Sequence, residues 1–254
     1  KEGQERGILD EIKEATYTVE EVKKKETRRQ PPTPFTTSTL QQAASSKFGY
    51  SAKQTMVIAQ QLYEGISLGS EGNSGLITYM RTDSMNLAGQ AVATIRDYLK
   101  EHHPSALPEK PRFYKTKKKG AQEAHEAIRP TNVFNTPEKV KPHLDAKQFK
   151  LYDLIWRRTV ACQMNPAVFD STTVDIAAGT YTFRSTGSTI KLKSFLEIYP
   201  TKVDENILPE LEKGEVLDLE KLNKEQHFTQ PPARYSEATL IKALEEYGIG
   251  RPST

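Results

Sequence analysis

The sequence predicts a mixed α and β protein in which a helical domain is inserted into a β-rich antiparallel one. Three observations carry that expectation. Alternating apolar and polar segments lie both near the start (Tyr17, Val19, Val22) and between Ser171 and Leu219. Between them, apolar residues recur at helical spacing from Leu40 to Val160. Prolines mark the seams, at Pro31, Pro32, Pro34 and Pro166.

Residues 1–34 begin irregularly and then alternate as an edge-like strand does, until the prolines end the ladder. From 35 to 165 the character is helical. Leu40, Ala43, Ala44 and Phe48 share a face, and Gly49 suits a left-handed helix stop. Ser51 is placed to cap a second helix, with Gln54 three residues on as its capping-box partner. Ala52, Met56, Ala59, Leu62 and Tyr63 form the expected buried stripe of that helix. Two short helices, a turn at Gly49-Tyr50 and a following strand make this a winged-helix-like domain. A third helix fits 86–100, with Leu87, Ala91, Val92, Ile95 and Leu99 inward; proline and basic residues at 104–119 read as a loop. A long helix fits 145–164 and buries Phe149, Tyr152, Ile155, Trp156 and Val160. In that stripe Trp156 is a core residue, not a base-stacking platform.

Residues 166–230 return to strand character. Ser171–Ile176 alternates, Gly179-Thr180 is a turn, and Tyr181–Ser185, Ile190–Lys193 and Val216–Leu219 complete the set at hairpin spacing. From 231 to 254 Ser236 caps a last helix with Ala238, Leu240, Ile241, Leu244 and Tyr247 on one side, ending at Gly248.

Composition narrows the classes. The 254 residues are 36% hydrophobic and 27% charged, with no apolar run long enough to span a bilayer and no signal-peptide pattern. The single cysteine, Cys162, excludes an internal disulfide framework and a cysteine zinc site, and its helical context makes it a buried, inert thiol. These features fit a cytoplasmic protein. A net charge of +3 does not by itself diagnose nucleic-acid binding. The local clusters are more telling: Lys23, Lys24, Lys25, Arg28 and Arg29, then Lys115, Lys117, Lys118 and Lys119. Such runs are either solvated loop or a phosphate-tracking surface.

The stretch GLITYMRTDS, Gly75–Ser84, carries the chemistry. As a strand it puts Tyr79 and Arg81 on one face, with Ile77 beside them and Thr78 and Met80 opposite. A tyrosine that can attack a phosphate beside a guanidinium that can clamp one is the minimum for a covalent phosphotyrosine exchange. Tyrosine's ordinary pKa near 10 leaves about one phenol in a thousand ionised at pH 7, so a neighbouring cation both favours phenolate and neutralises the phosphodiester. Arg81 is the candidate for both tasks, the phosphate first, because its planar fork matches two phosphate oxygens. The ester stores the energy of the broken bond, so resealing needs no nucleotide; no GxxxxGK[ST] fingerprint is present. His125 and Arg129, four apart, share a face if that segment is a helical turn. A lone histidine that only satisfies a backbone group is the competing reading. Thr82, Asp83 and Ser84 form a turn that caps the next helix, with Asp83 placed to orient Arg81. Glu126 reads as a surface residue.

Four ordered segments together resemble the type IA DNA topoisomerases: Pro34–Gly65, Gly75–Ser84, the run Ala124-His-Glu-Ala-Ile-Arg-Pro-Thr131, and Phe228–Thr254. They cover most of the chain from Pro32 onward. The resemblance implies that Tyr79 takes the 5′ phosphate of one DNA strand while another segment passes through the gap. It implies that His125 lies near the tyrosine and assists DNA handling, and that Arg251 lies near the single-strand groove, although a turn-stabilising role for Arg251 is equally open. It makes the β-rich part an arch carrying the tyrosine domain, and 231–254 the start of a helical DNA-binding domain. Single-stranded and negatively supercoiled DNA are the implied partners, with a monomeric enzyme, no membrane and no ATP. Mg²⁺ is implied as the cofactor of the full enzyme, held by an acidic domain outside this chain, since no Asp-x-Asp cluster occurs here. Neither end reads as a natural terminus, so a central piece of a longer enzyme, by itself inactive or nearly so, is expected. The competing reading is a non-catalytic winged-helix DNA-binding module in which Tyr79 only packs.

Overall fold

The structure is a computed structural model that describes residues 2–114 and 125–250. Its elements in chain order are α1 (Glu2–Glu14), β1 (Tyr17–Arg29), α2 (Thr37–Phe48), α3 (Ala52–Glu64), β2 (Ile66–Ser67), β3 (Asn73–Ser74), α4 (Gly89–His102), α5 (Pro137–Val140), α6 (Ala146–Ala161), β4 (Ala167–Ala178), β5 (Tyr181–Leu192), β6 (Val216–Leu217) and α7 (Glu237–Glu246). The mixed α and β expectation holds. Two compact units divide the chain. Among the described residues, no helix is long and apolar enough to cross a membrane.

The first unit comprises residues 2–29, 167–193 and 201–232. Its sheet has the order β5-β4-β1-β6, every pair antiparallel. β1 pairs with β4 along its length, from Tyr17 opposite Ala178 to Arg29 opposite Ala167, with a register shift between Val19 and Glu21. On its other side β6 covers only Tyr17 and Thr18, so most of β1 is an edge, as its lysines suggest. The irregular start expected before this strand is instead helix α1, whose Ile12 packs with Tyr17 and Ala178 while the Tyr17 hydroxyl donates to Ile12 O at 3.0 Å. Its apolar content is too sparse and its charges too many for periodicity to have revealed it. Gly179, at φ 62, makes the β4–β5 turn. The two strands expected at Tyr181–Ser185 and Ile190–Lys193 are one continuous β5. Gly187, between them, is not a turn but a close approach: a Cβ there would lie 2.8 Å from Asn206 O, and Ser188 exchanges backbone bonds with Asn206 at 2.8 and 3.1 Å.

The second unit comprises residues 30–114, 125–166, 194–200 and 233–250. Local chemistry explains its helices. Thr36 and Thr39 form a capping box on α2, and Gly49 ends it at φ 68. Ser51 Oγ accepts from Gln54 N at 3.1 Å to start α3, and Asp145 with Gln148 boxes the start of α6. The buried stripe of α3 is Thr55, Ile58, Ala59 and Leu62; Met56 is only partly covered and Tyr63 is exposed, unlike the expected stripe. Phe149 is likewise only half-buried at the start of α6. Trp156 is core, its Nε1 donating to Val133 O at 2.8 Å. Cys162 is fully buried, and burial pushes its thiol up to about 12, which leaves it inert. The helix expected at 86–100 starts later, at Gly89, because 82–86 is a turn of side-chain bonds: Thr82 Oγ1 accepts from Ser84 N and Ser84 Oγ from Asn86 N. Two short strands, β2 and β3, pair between α3 and the tyrosine segment. α7 buries no residue fully; Ser38 Oγ donates to Glu245 and Ala52 N to Glu237, both at 2.6 Å.

Candidate active site

The tyrosine segment is not a regular strand. It runs extended and carries one isolated bridge, Ile77 to Pro130. Its backbone bonds are supplied from two sides. On one side Leu76 O accepts from Thr131 N (3.0 Å), Thr78 N donates to Arg129 O (2.9 Å), and the Thr78 hydroxyl donates to Ala127 O (2.7 Å) while accepting from Arg129 N (3.0 Å). On the other side Thr37, the first residue of α2, donates through its hydroxyl to Met80 O (2.7 Å) and accepts from Thr82 N (2.9 Å); its own N–H donates to Thr82 O (2.9 Å). A segment without a ladder of its own is thus bonded at Leu76, Thr78, Met80 and Thr82.

These clamps set which side chains face out. Met80 and Thr82 are buried, whereas Tyr79 is 44% exposed and Arg81 is exposed. Tyr79 and Arg81 are thus both exposed, on either side of the buried Met80. Ile77, expected beside them, is buried together with Leu76, because the chain bends at Thr78 and turns both inward. Asp83 is half-buried just beyond.

Two aromatic rings neighbour Tyr79. Tyr63, from the last turn of α3, meets it edge-on with centroids 5.3 Å apart and planes at 64°. The half-buried His125 ring stands 6.3 Å away at 88°. His125 is not on a helical turn: residues 125–130 run extended, with bridges from Ile128 to Phe35 and Pro130 to Ile77. Those cross-chain bonds override a sequence with good helix formers. Arg129 consequently parts from His125. All three of its guanidinium nitrogens donate within the protein, Nη2 to Glu126 Oε2 at 2.6 Å, Nε to Glu126 Oε1 at 3.3 Å and Nη1 to Pro130 O at 2.9 Å. Glu126 is no mere surface group, since it also takes the N–H of Ala88, the uncapped start of α4, at 2.5 Å. These bonds tie Arg129 to Glu126 and Pro130. Arg251 and the run Lys115, Lys117, Lys118 and Lys119 lie outside the described residues.

Sequence reasoning missed Tyr63, Thr37 and Thr78 as parts of this site. The apolar series 52-56-59-63 and 55-58-59-62 are adjacent stripes of one helix, and only packing selects between them. Among the described residues, no group of three His, Cys, Asp or Glu side chains is placed to hold a metal ion.

A family model for DNA topoisomerase matches residues 1–254. The chain belongs to the bacterial type IA branch of the DNA topoisomerase family. It is 53% identical over 247 residues to DNA topoisomerase 1 of Xylella fastidiosa (strain Temecula1), covering 93% of this chain and 30% of that protein. To DNA topoisomerase 1 of Campylobacter jejuni it is 46% identical, covering 97% and 35%. Full-length topoisomerase I from Thermotoga maritima shares the fold at a TM-score of 0.82 and 38% identity, over 98% of this chain and 40% of that one. The chain spans about a third of the length of the relatives it matches.

Proposed function

We propose that this chain is the tyrosine-bearing part of a DNA topoisomerase I that relaxes negatively supercoiled DNA without ATP, by cutting one strand, passing another and resealing. The observation that carries the reading is the exposure of both Tyr79 and Arg81 on a segment whose backbone is bonded on both flanks. A nucleophile needs access to its target and a fixed attack direction, and this arrangement supplies both.

In the proposed step the Tyr79 oxygen, relieved of its proton, bonds to phosphorus of single-stranded DNA as the P–O3′ bond breaks. The 3′ oxygen takes up a proton, and the 5′ phosphate stays on the tyrosine. Arg81 holds two non-bridging oxygens and offsets the charge that builds there. His125 lies beside the phenol and helps seat the strand; Asp83 serves to orient Arg81. Resealing is the same step reversed, with the phenolate leaving. Mg²⁺ is proposed as a cofactor of the complete enzyme, bound by residues other than those described here, and no step above depends on it. The isolated chain, which spans about a third of the length of its relatives, is expected to cleave poorly.

The test is covalent trapping of a single-stranded oligonucleotide by the complete enzyme. Tyr79→Phe removes one hydroxyl and should abolish the adduct with non-covalent binding nearly unchanged. Arg81→Lys keeps the charge and loses the fork, so it should slow cleavage more than it weakens binding. Loss of binding in Tyr79→Phe would instead mark the tyrosine as a packing residue of a non-catalytic DNA-binding module.

A further inference from the structure

We infer that Tyr63 is a positioning residue for Tyr79, its ring acting as the wall that fixes the direction of the phenol. The inference rests on the reading of Tyr79 as nucleophile. It starts from an anomaly: Tyr63 is a large aromatic on a well-packed helix, yet it lies off the buried stripe and is 40% exposed. What it touches is the Tyr79 ring, at 5.3 Å and 64°, an edge-to-face geometry favoured by the ring quadrupoles.

The backbone holds this pair in register although sixteen residues separate them. Leu76 N donates to Leu62 O at 2.7 Å, tying the tyrosine segment to the last turn of α3. One residue earlier, the chain passes so close that a Cβ on Gly75 would lie 2.6 Å from Tyr63 O. Glycine there is what allows the approach. Between the two tyrosines, Gly65 at φ 135 turns the chain into the β2–β3 pair that returns it. The Tyr63 backbone is thus held by these main-chain contacts within reach of the tyrosine segment.

The Tyr79 ring thus has two aromatic neighbours, Tyr63 at 5.3 Å and His125 at 6.3 Å between centroids. An exposed tyrosine otherwise samples several rotamers, and only one aims its oxygen at a given phosphorus. Removing one wall should spread that population. The contact is made by the ring, so phenylalanine should serve as well as tyrosine.

The experiment compares Tyr63→Ala and Tyr63→Phe in the complete enzyme. Single-turnover formation of the covalent adduct with a single-stranded oligonucleotide gives the cleavage rate. Affinity is measured by fluorescence anisotropy in the Tyr79→Phe background, where no cleavage intervenes. Tyr63→Ala should slow cleavage about 2- to 10-fold, the worth of one edge-to-face pair. Tyr63→Phe should restore the rate, and affinity should not change in either. A native rate in Tyr63→Ala, or a Tyr63→Phe variant as slow as alanine, overturns the inference. So does an affinity loss equal to the rate loss, which would make Tyr63 a base-stacking platform. An adduct that persists in Tyr79→Phe alone refutes the nucleophile reading instead, and is told apart because it needs no change at Tyr63.

Discussion

Thr37→Val isolates the clamp on the tyrosine segment. Valine keeps the size and β-branch of threonine, so helix propensity and packing at the start of α2 hardly change. What disappears is a hydroxyl that donates to Met80 O at 2.7 Å and accepts from Thr82 N at 2.9 Å. Thr37, Met80 and Thr82 are all buried, so water cannot replace it. Each buried backbone group left unpaired costs about 1–3 kcal/mol, and two are lost, for a total of roughly 2–6 kcal/mol. That is a large share of the 5–15 kcal/mol by which a domain is typically stable. The bond from Thr37 N to Thr82 O remains, so the segment is loosened but not released. Chemical unfolding of the chain, followed through the buried Trp156, should show the loss. Adduct formation by the complete enzyme, assayed well below its melting temperature, should fall as well, because Arg81 sits between the two orphaned groups. Thr37→Ser retains the hydroxyl, loses one methyl and should cost only about 1 kcal/mol. A valine variant that unfolds and cleaves like the native protein would refute the clamp.

Two further outcomes follow from the same geometry. Glu126→Ala should destabilise the helical unit by about 1–3 kcal/mol, since Ala88 N and the Arg129 guanidinium lose their shared acceptor; Glu126→Gln, which still accepts from Ala88, should lose less, as read by the same unfolding curves. In the β unit, Arg184 grips Asp175 with two bonds of 2.6 and 2.8 Å and holds its carboxyl below the ordinary value. A folded value below the unfolded one means the stabilisation is complete above about pH 4 and is lost as pH falls through the lowered value. NMR titration of Asp175 should show the depressed midpoint, and Arg184→Met should return it towards normal.

Much of the helical unit was legible because its signals are local. Gly49, Ser51, Asp145 and Ser236 each mark a helix end through bonds made within a few residues, and each acts there in the structure. The hairpin turn at Gly179 is equally local. What could not be read depended on partners distant in sequence. The segment at 125–130 carries helix-forming residues, but its N–H and C=O groups find Asn86, Phe35 and Thr78 and stay extended. Gly187 looks like a turn signal until Asn206 is seen against it.

The same division explains how the candidate site is built. The residues that carry chemistry, Tyr79 and Arg81, announce themselves by type and spacing, because reactivity belongs to the side chain. The residues that make them usable do not, because threonines, a glycine and a tyrosine are ordinary at any position. An irregular segment gives up the ladder that would hold a strand rigid, and in exchange turns its functional side chains to an open face. Rigidity must then come from outside the segment: from Thr37 at a helix start, from the 127–131 chain that bonds Thr78 and Leu76, and from Tyr63 across a gap only glycine permits. Thr37 and the 127–131 chain bond the backbone of the segment, whereas Tyr63 meets the Tyr79 ring itself. Reactivity and support can therefore be perturbed separately: variants at Thr37 and Tyr63 leave the phenol and the guanidinium chemically intact and change only how firmly they are aimed.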